Sequence, residues 1–193
     1  MALKPSQNGR FRGFTLLELM VVLAIVAILA MLAAPSFTRL IQANTISSVV
    51  NTFLADMRYA RSESTRRGGG VVMCRSNSPE AANPTCGNGS VPGDNGWVSG
   101  WIIFQDWDND GTQDSTEPLL RVQSPITSMD SIKEEGDTST RFRFTATGRL
   151  SIATTPLTFG GSNYANDVKR LLCVNLGGRA QITPPGTTDC GNS

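Results

Sequence analysis

An almost unbroken apolar run at positions 14–34 predicts the first element of the chain. Glu18 is its only charged residue, and Pro35 follows it directly. At about 1.5 Å of rise per residue the run would form a helix of roughly 31 Å, which is long enough to cross the apolar core of a bilayer. Because a lone carboxylate in hydrocarbon is costly and is normally paired, Glu18 is expected to need a partner, which points to self-assembly.

The pattern after Pro35 stays helical but becomes one-sided. Between positions 37 and 57 apolar residues recur every three or four residues, as in an amphipathic helix with one buried face. The opposite, polar face is predicted to carry Arg39, Gln42, Asn44, Ser48, Asn51, Asp56 and Arg58. Three glycines follow at positions 68–70, and glycine readily adopts the left-handed conformation that ends helices. We therefore predict one helix over positions 14–67.

Beyond the three glycines the hydrophobic period changes from about 3.6 to two, which is typical of strands. Seven short strands are predicted, at positions 71–74, 101–104, 119–122, 141–144, 157–159, 170–175 and 179–182. Loops rich in Gly, Pro and Asn separate them, the longest at positions 76–96. A long helix followed by strands predicts an α+β fold, in which the helix packs against an antiparallel β-sheet head.

These patterns divide the chain into four parts. Positions 1–13 form a polar leader with three basic residues, Lys4, Arg10 and Arg12. By the positive-inside bias the leader stays in the cytoplasm, and the residues after the apolar run lie on the outer side of the membrane. The other predicted parts are the transmembrane helix 14–34, the amphipathic helix 35–67 and the β-rich globular head 68–193.

The junction between leader and apolar run carries the sequence GFTLLE at positions 13–18. It resembles the class III signal of type IV pilins and type II secretion pseudopilins, and Pro35 lies where that family has a helix-bending proline. The resemblance implies that prepilin peptidase cuts after Gly13 and that the new N-terminal residue, Phe14, is methylated. It also implies that the helix moves from the membrane into a filament core, where Glu18 meets the terminal amine of a neighbouring subunit.

Short segments of the head are similar to the GspH/FimT/FimU group of minor pilins and pseudopilins. They are ARSE at 60–63, the strand ending in Cys74, the segment 100–106, the Asp-rich turn after it, ATGR at 146–149, LCVN at 172–175 and GR at 178–179. The resemblance implies a minor pilin with a structural or priming role in a type IV pilus, and other major and minor pilins as partners. The chain would sit in the inner membrane with a periplasmic head before it joins the pilus. The alternatives are a type II secretion pseudopilin and a DNA-binding minor pilin for natural transformation.

Composition limits the chemistry that this head can perform. The chain has no histidine, which excludes Ser-His-Asp and Cys-His nucleophile systems and histidine-based zinc sites. Its carboxylates lie mostly in segments that resemble turns, so we expect a protein that is not an enzyme and that needs no organic cofactor.

Four cysteines form an even set without a C-x-x-C pair. In an exported head they are expected to form two structural disulfides. Three connectivities are possible, of which nearest-neighbour pairing is favoured: Cys74–Cys86 and Cys173–Cys190.

An acidic segment at positions 106–117 matches the calcium-loop pattern D-x-[DN]-x-[DN]-G-x5-E. Its candidate ligands are Asp106, Asp108, Asp110, Asp114 and Glu117. A tight turn explains the same residues, because Asp and Asn side chains form hydrogen bonds with the nearby backbone and Gly adopts a positive φ. The sequence leaves both the calcium site and the plain turn open.

The last third of the chain is basic, with six Lys or Arg against two Asp or Glu from position 138 onward. Its candidate DNA contacts are Lys169, Arg170 and Arg179. A C-terminal Gly-Arg-x-Arg motif is implicated in DNA binding in some FimT-like minor pilins. Here Gln181 replaces the second Arg, so ordinary solvated strand residues are the alternative.

Overall fold

The computed structural model describes residues 13–87, 95–134 and 141–191, so all of the predicted leader except Gly13 lies outside the described residues. The elements are helix α1 (Leu16–Arg67), strands β1 (Val71–Arg75), β2 (Trp101–Gln105), β3 (Leu119–Gln123), β4 (Ser131–Glu134), β5 (Arg141–Phe144), β6 (Leu157–Gly160), β7 (Arg170–Val174) and β8 (Ala180–Ile182), with a 3₁₀ turn at Trp97–Ser99. The chain divides into two compact units, Met1–Thr38 and Arg39–Ser193.

The strands form two four-stranded antiparallel sheets. The order is β3-β2-β1-β5 in the first sheet and β4-β6-β7-β8 in the second. In the first sheet Met73 lies opposite both Ile103 and Phe142, so three apolar side chains share one face. In the second sheet Leu172 lies opposite Leu157 and Ile182. One long helix with antiparallel sheets is the predicted α+β fold, and that prediction is confirmed.

The sequence prediction missed strand β4. In its sequence, SIKE, only Ile132 is apolar, so no alternation over several residues marks it as a strand. The structure nevertheless buries Ile132 completely and pairs β4 with β6. Pairing with an existing strand therefore decides the conformation of this segment.

Phe53 of helix α1 lies at the centre of the core and joins the helix to both sheets. Its ring meets four aromatic rings edge-on at centroid distances of 5.0 to 6.1 Å. They belong to Trp97 of the 3₁₀ turn, to Trp101 and Phe142 of the first sheet and to Phe159 of the second. Edge-to-face contacts of this kind add to the free energy gained from burial.

Strands β1 and β2 are buried on both faces, unlike the half-buried strands that a period of two predicts. Their outer face carries a second apolar cluster of Val72, Cys74, Ile102 and Phe104, and Cys86 packs against it. A disulfide joins Cys74 to Cys86 with the Cα atoms 5.5 Å apart, and this bond holds the segment after β1 against the sheet. A second disulfide, between Cys173 and Cys190, attaches the C-terminal segment to β7.

The prediction that Asp56 lies on the exposed face of the helix is wrong. Asp56 is buried, and its Oδ2 accepts a hydrogen bond of 2.8 Å from the indole Nε1 of Trp101. Its Oδ1 accepts a bond of 2.5 Å from Nη1 of Arg121 in β3. The Arg121 guanidinium also lies 5.0 Å above the ring of Tyr59. Because two donors satisfy the carboxylate, its burial is tolerated, and it links α1 to β2 and β3.

Candidate functional site

The start of helix α1 carries the residues predicted to direct processing and assembly. Helix α1 begins at Leu16, so Thr15 is its N-cap residue and Glu18 is the third helical residue. The backbone N–H of Glu18 donates to Oγ1 of Thr15 at 3.2 Å. Thr-x-x-Glu is the pattern of a capping box, which satisfies N–H groups that a helix start leaves unpaired. The sequence analysis missed this role, although the pattern is readable in the letters alone.

The first unit exposes a long apolar surface. Phe14 is 85% exposed, and Leu16 and Met31 are each 77% exposed. The apolar window of α1 has none of its residues buried, and the helix is long and apolar enough to cross a membrane. An apolar surface of this extent is stable only against lipid or against other helices. The unit is therefore consistent with membrane anchoring and with packing among the helices of a filament.

The acidic segment forms the loop between β2 and β3. It brings together three of the five predicted calcium ligands, Asp106, Asp108 and Glu117, which each present an oxygen within 4.8 Å of the other two. Asp110 and Asp114 lie outside this group. The Asp110 carboxylate instead accepts hydrogen bonds from the backbone and the hydroxyl of Thr112.

The loop is folded around two buried carboxylates. Oδ2 of Asp106 accepts the backbone N–H of Gly111 at 3.0 Å. Glu117 accepts the backbone N–H of Trp107 at 2.7 Å through Oε1 and that of Asp114 at 3.1 Å through Oε2. Gly111 has a φ of 79°, which L side chains rarely adopt. These bonds are those of a tight acidic turn, and the same turn makes the carboxylates converge.

Two arginines of β5 lie against this loop. Arg143 donates from Nη1 to the carbonyl of Asn109 at 2.8 Å, and its Nη2 lies 3.5 Å from Oδ2 of Asp106. Arg141 donates to the carbonyl of Gly111 at 2.5 Å. Burial raises the pKa of Asp106 above its ordinary value, and the charge of Arg143 opposes that shift. Oδ1 of Asp106 is buried and has no hydrogen-bond partner among the described residues.

Arg179 lies in a basic groove that the sequence analysis did not predict. The groove has a volume of about 280 Å³ and is lined by Met57, Arg58, Arg61, Gly178, Arg179 and Ala180. Arg61 donates from Nη1 to the carbonyl of Gly178 at 3.2 Å, which fixes the helix against the β7–β8 turn. A neighbouring groove along the helix shares Arg58 and Arg61 and adds Arg66.

The other two predicted DNA contacts lie elsewhere in the head. Lys169 lines a different cavity together with Lys133, and its Nζ donates to Oδ1 of Asn166 at 2.9 Å. Arg170 is half-buried at the start of β7. The structure therefore does not gather the three predicted residues at one site, and it places Arg179 with two helix arginines. Arg58 and Arg61 are three residues apart, and residues at this spacing lie on the same face of a helix. This spacing could have predicted the helix side of the basic groove from the sequence.

The fold resembles that of a pilin of known structure. The chain matches crystal structures of the type IV minor pilin FimU of Pseudomonas aeruginosa strain PAO1 in two crystal forms, each at 22% sequence identity. The first match has a TM-score of 0.54 and covers 73% of this chain and 90% of that one. The second has a TM-score of 0.49 and covers 72% and 92%. No curated protein matches the chain.

Two family models match the chain. The model described as prokaryotic N-terminal methylation motif covers residues 8–34, which include the GFTLLE junction. The model described as type II transport protein GspH covers residues 49–178, from the buried half of α1 to the turn before β8. Because the second match spans more than half of the sequence, the chain belongs to the GspH family and carries the N-terminal methylation motif of pilin-like proteins.

Proposed function

We propose that this chain is a minor pilin that is incorporated into a type IV pilus, where it has a structural or priming role. The observation that carries the proposal is a methylation motif that includes an apolar helical segment with exposed side chains, on a chain whose fold resembles a type IV minor pilin. Such a subunit acts through contacts with other subunits and not through catalysis. Its helix supplies the packing common to all subunits, and its head supplies the contacts particular to this one.

The proposed route begins in the inner membrane with the head in the periplasm. Prepilin peptidase cuts after Gly13, and the new terminal residue Phe14 is methylated. The exposed apolar face of α1 then passes from lipid to the helices of other pilins without meeting water, so little hydrophobic free energy is lost in the transfer. In the filament Glu18 pairs with the terminal amine of a neighbouring subunit, which supplies the partner that its charge requires.

The alternative is a pseudopilin of a type II secretion system, which the name of the matching family favours. Deletion of the gene, followed by parallel assays of surface piliation and protein secretion, separates the two roles. We expect fewer surface pili, unchanged secretion, and the wild-type protein in sheared pili. Normal piliation with impaired secretion would instead assign the chain to a pseudopilus. A Gly13→Val variant, which the peptidase is expected to leave uncut, is the inactive control for complementation.

A second candidate function is binding of the DNA backbone by the groove that contains Arg58, Arg61 and Arg179. Three guanidinium groups beside one groove form a surface to which phosphates are attracted without base specificity. The observation that favours it is the convergence of these arginines from α1 and from the β7–β8 turn. The Lys169 cavity has one carboxylate, Glu134, beside its two lysines and is less suited to an anion.

Exchanging the three groove arginines for glutamine is expected to weaken DNA binding by roughly tenfold or more at low salt and to lower the salt-dependence slope by about 2 to 3. The reason is that each lost phosphate contact removes about one released counterion. Fluorescence anisotropy with the full chain in detergent measures both quantities. The matched control is Lys133→Gln with Lys169→Gln. Equal loss in both variants, or no loss in the first, would exclude the groove as a DNA site.

A further inference from the structure

We infer that the loop between β2 and β3 binds one calcium ion through the carboxylates of Asp106, Asp108 and Glu117. The inference does not depend on whether the chain joins a pilus or a pseudopilus, because it rests on the head alone. It also goes beyond the proposed assembly role, which needs no metal.

The first observation is the distance between the three carboxylates. One oxygen of each lies within 4.8 Å of the oxygens of the other two. Calcium takes its oxygen ligands at about 2.3–2.6 Å, so two ligands of one ion are separated by at most about 5 Å. The three oxygens can therefore contact one ion without rebuilding the loop. Water can complete the coordination on the side of Asp108, since this residue is exposed.

The second observation is an unsatisfied oxygen on the Asp106 carboxylate. The side chain of Asp106 is completely buried, and its Oδ1 has no hydrogen-bond partner among the described residues. Its other oxygen, Oδ2, is already occupied by the backbone N–H of Gly111 and by Arg143. A buried, unpaired carboxylate oxygen is costly, and buried polar atoms are normally satisfied. A cation among the three carboxylates supplies the missing partner.

The charge and chemistry of the group select the kind of ion. The three carboxylates carry three negative charges, and the guanidinium groups of Arg143 and Arg141 beside the loop offset only two of them, so the group still attracts a cation. All ligands are hard oxygens, which suit calcium or magnesium and not zinc. Magnesium requires nearly ideal octahedral geometry at shorter distances and keeps most of its water, whereas calcium accepts irregular sites. Calcium therefore fits a group set by backbone turns.

The ion would connect the two strands that the loop joins. Asp106 directly follows β2, and Glu117 lies two residues before β3. The loop also contacts the disulfide, because Sγ of Cys86 lies 3.8 Å from the carbonyl oxygen of Gly111. Calcium bound there is expected to stabilise this edge of the head, since any ligand that binds only the folded state raises its stability.

Calorimetric titration of the full chain in detergent, after removal of divalent ions, tests the site with CaCl₂ as the probe. We expect one ion per chain with a Kd between about 10⁻⁵ and 10⁻³ M, and binding weaker by about tenfold or more in Asp108→Asn. Asp108 is exposed, and Asn retains the oxygen that accepts the N–H of Asp110, so the fold is preserved. Glu80→Gln, which changes an exposed carboxylate elsewhere on the head, should bind like the wild type.

Terbium luminescence provides a second readout, because Trp107 is part of the loop and can transfer excitation to a bound lanthanide. Trp107→Phe is expected to lose most of the sensitised emission while its calorimetric calcium binding persists. Trp107 is 62% exposed, so this change leaves the core intact. Absence of calcium binding at millimolar concentration would overturn the inference. Equal binding by Asp108→Asn and the wild type would also overturn it, as would emission that neither Asp108→Asn nor Trp107→Phe reduces.

Discussion

A Glu18→Gln variant is expected to keep the start of helix α1 and the fold of the head, yet to fall by roughly tenfold or more in sheared pili. The Thr15 hydroxyl still accepts the backbone N–H of residue 18, and Gln at the third helical position also fits the capping-box pattern, so the helix start is preserved. The charge that would pair with a neighbour's terminal amine is lost. Breaking such a pair in apolar surroundings costs roughly 3–5 kcal/mol, and about 1.4 kcal/mol already corresponds to a factor of ten.

The measurement is an immunoblot of sheared pili against the membrane fraction, with mass spectrometry to verify cleavage after Gly13. Glu18→Ala removes both the charge and the Glu of the Thr-x-x-Glu pattern, and Glu80→Gln is the control for loss of an exposed carboxylate. If Glu18→Gln assembles like the wild type while Glu18→Ala does not, the capping box and not the charge is what assembly requires. A precursor that is not cleaved at Gly13 would contradict the proposed route as a whole.

An Asp56→Ala variant is expected to unfold more easily by roughly 2–4 kcal/mol. The larger part comes from the indole N–H of Trp101, which is buried and would lose its acceptor. The pair with Arg121 contributes less, because the Arg121 side chain is 47% exposed and water screens it. For a domain of this size the loss lowers Tm by roughly 4–16 °C. Near-UV circular dichroism during heating follows the aromatic core directly.

Two further variants separate the contribution of the Trp101 hydrogen bond from that of the charge of Asp56. Asp56→Asn keeps an acceptor for Trp101 but removes the charge, so its Tm should lie between those of the wild type and Asp56→Ala. Asp167→Ala breaks the pair with Arg39, in which both side chains are more than half exposed, and should change the free energy of unfolding by no more than about 1 kcal/mol. A similar loss in Asp167→Ala and Asp56→Ala would show that burial of Asp56 is not what matters.

Much of the fold follows from local patterns in the sequence. The helix from Leu16 to Arg67 agrees with the predicted 14–67 because apolar spacing and three glycines are signals within one segment. The seven predicted strands lie where short apolar or alternating runs occur between loops rich in Gly, Pro and Asn. Strand β4 was missed because its single apolar residue, Ile132, becomes a strand residue only by pairing with β6.

The two candidate sites also differ in how far the sequence predicts them. The calcium-loop pattern is local, and three of its five carboxylates converge because hydrogen bonds within positions 106–117 fold the loop. The basic groove could not be predicted as a unit, because Arg179 and Arg61 are far apart in sequence and meet only when the β7–β8 turn packs on α1. Lys169 has the same charge as Arg179 but lines a different cavity. The prediction from charge alone therefore assigned to one site residues that lie at two.

The sequence by itself determined the apolar helix, the GFTLLE motif at positions 13–18 and the acidic turn, since each depends on neighbours along the chain. Only the tertiary structure decided that Asp56 is buried and paired, that strands β1 and β2 are covered on both faces, and that arginines from two elements share a groove. The physical reason is that burial and pairing depend on which surfaces meet, and Asp56, Trp101 and Arg121 meet only after the first sheet has packed against the helix.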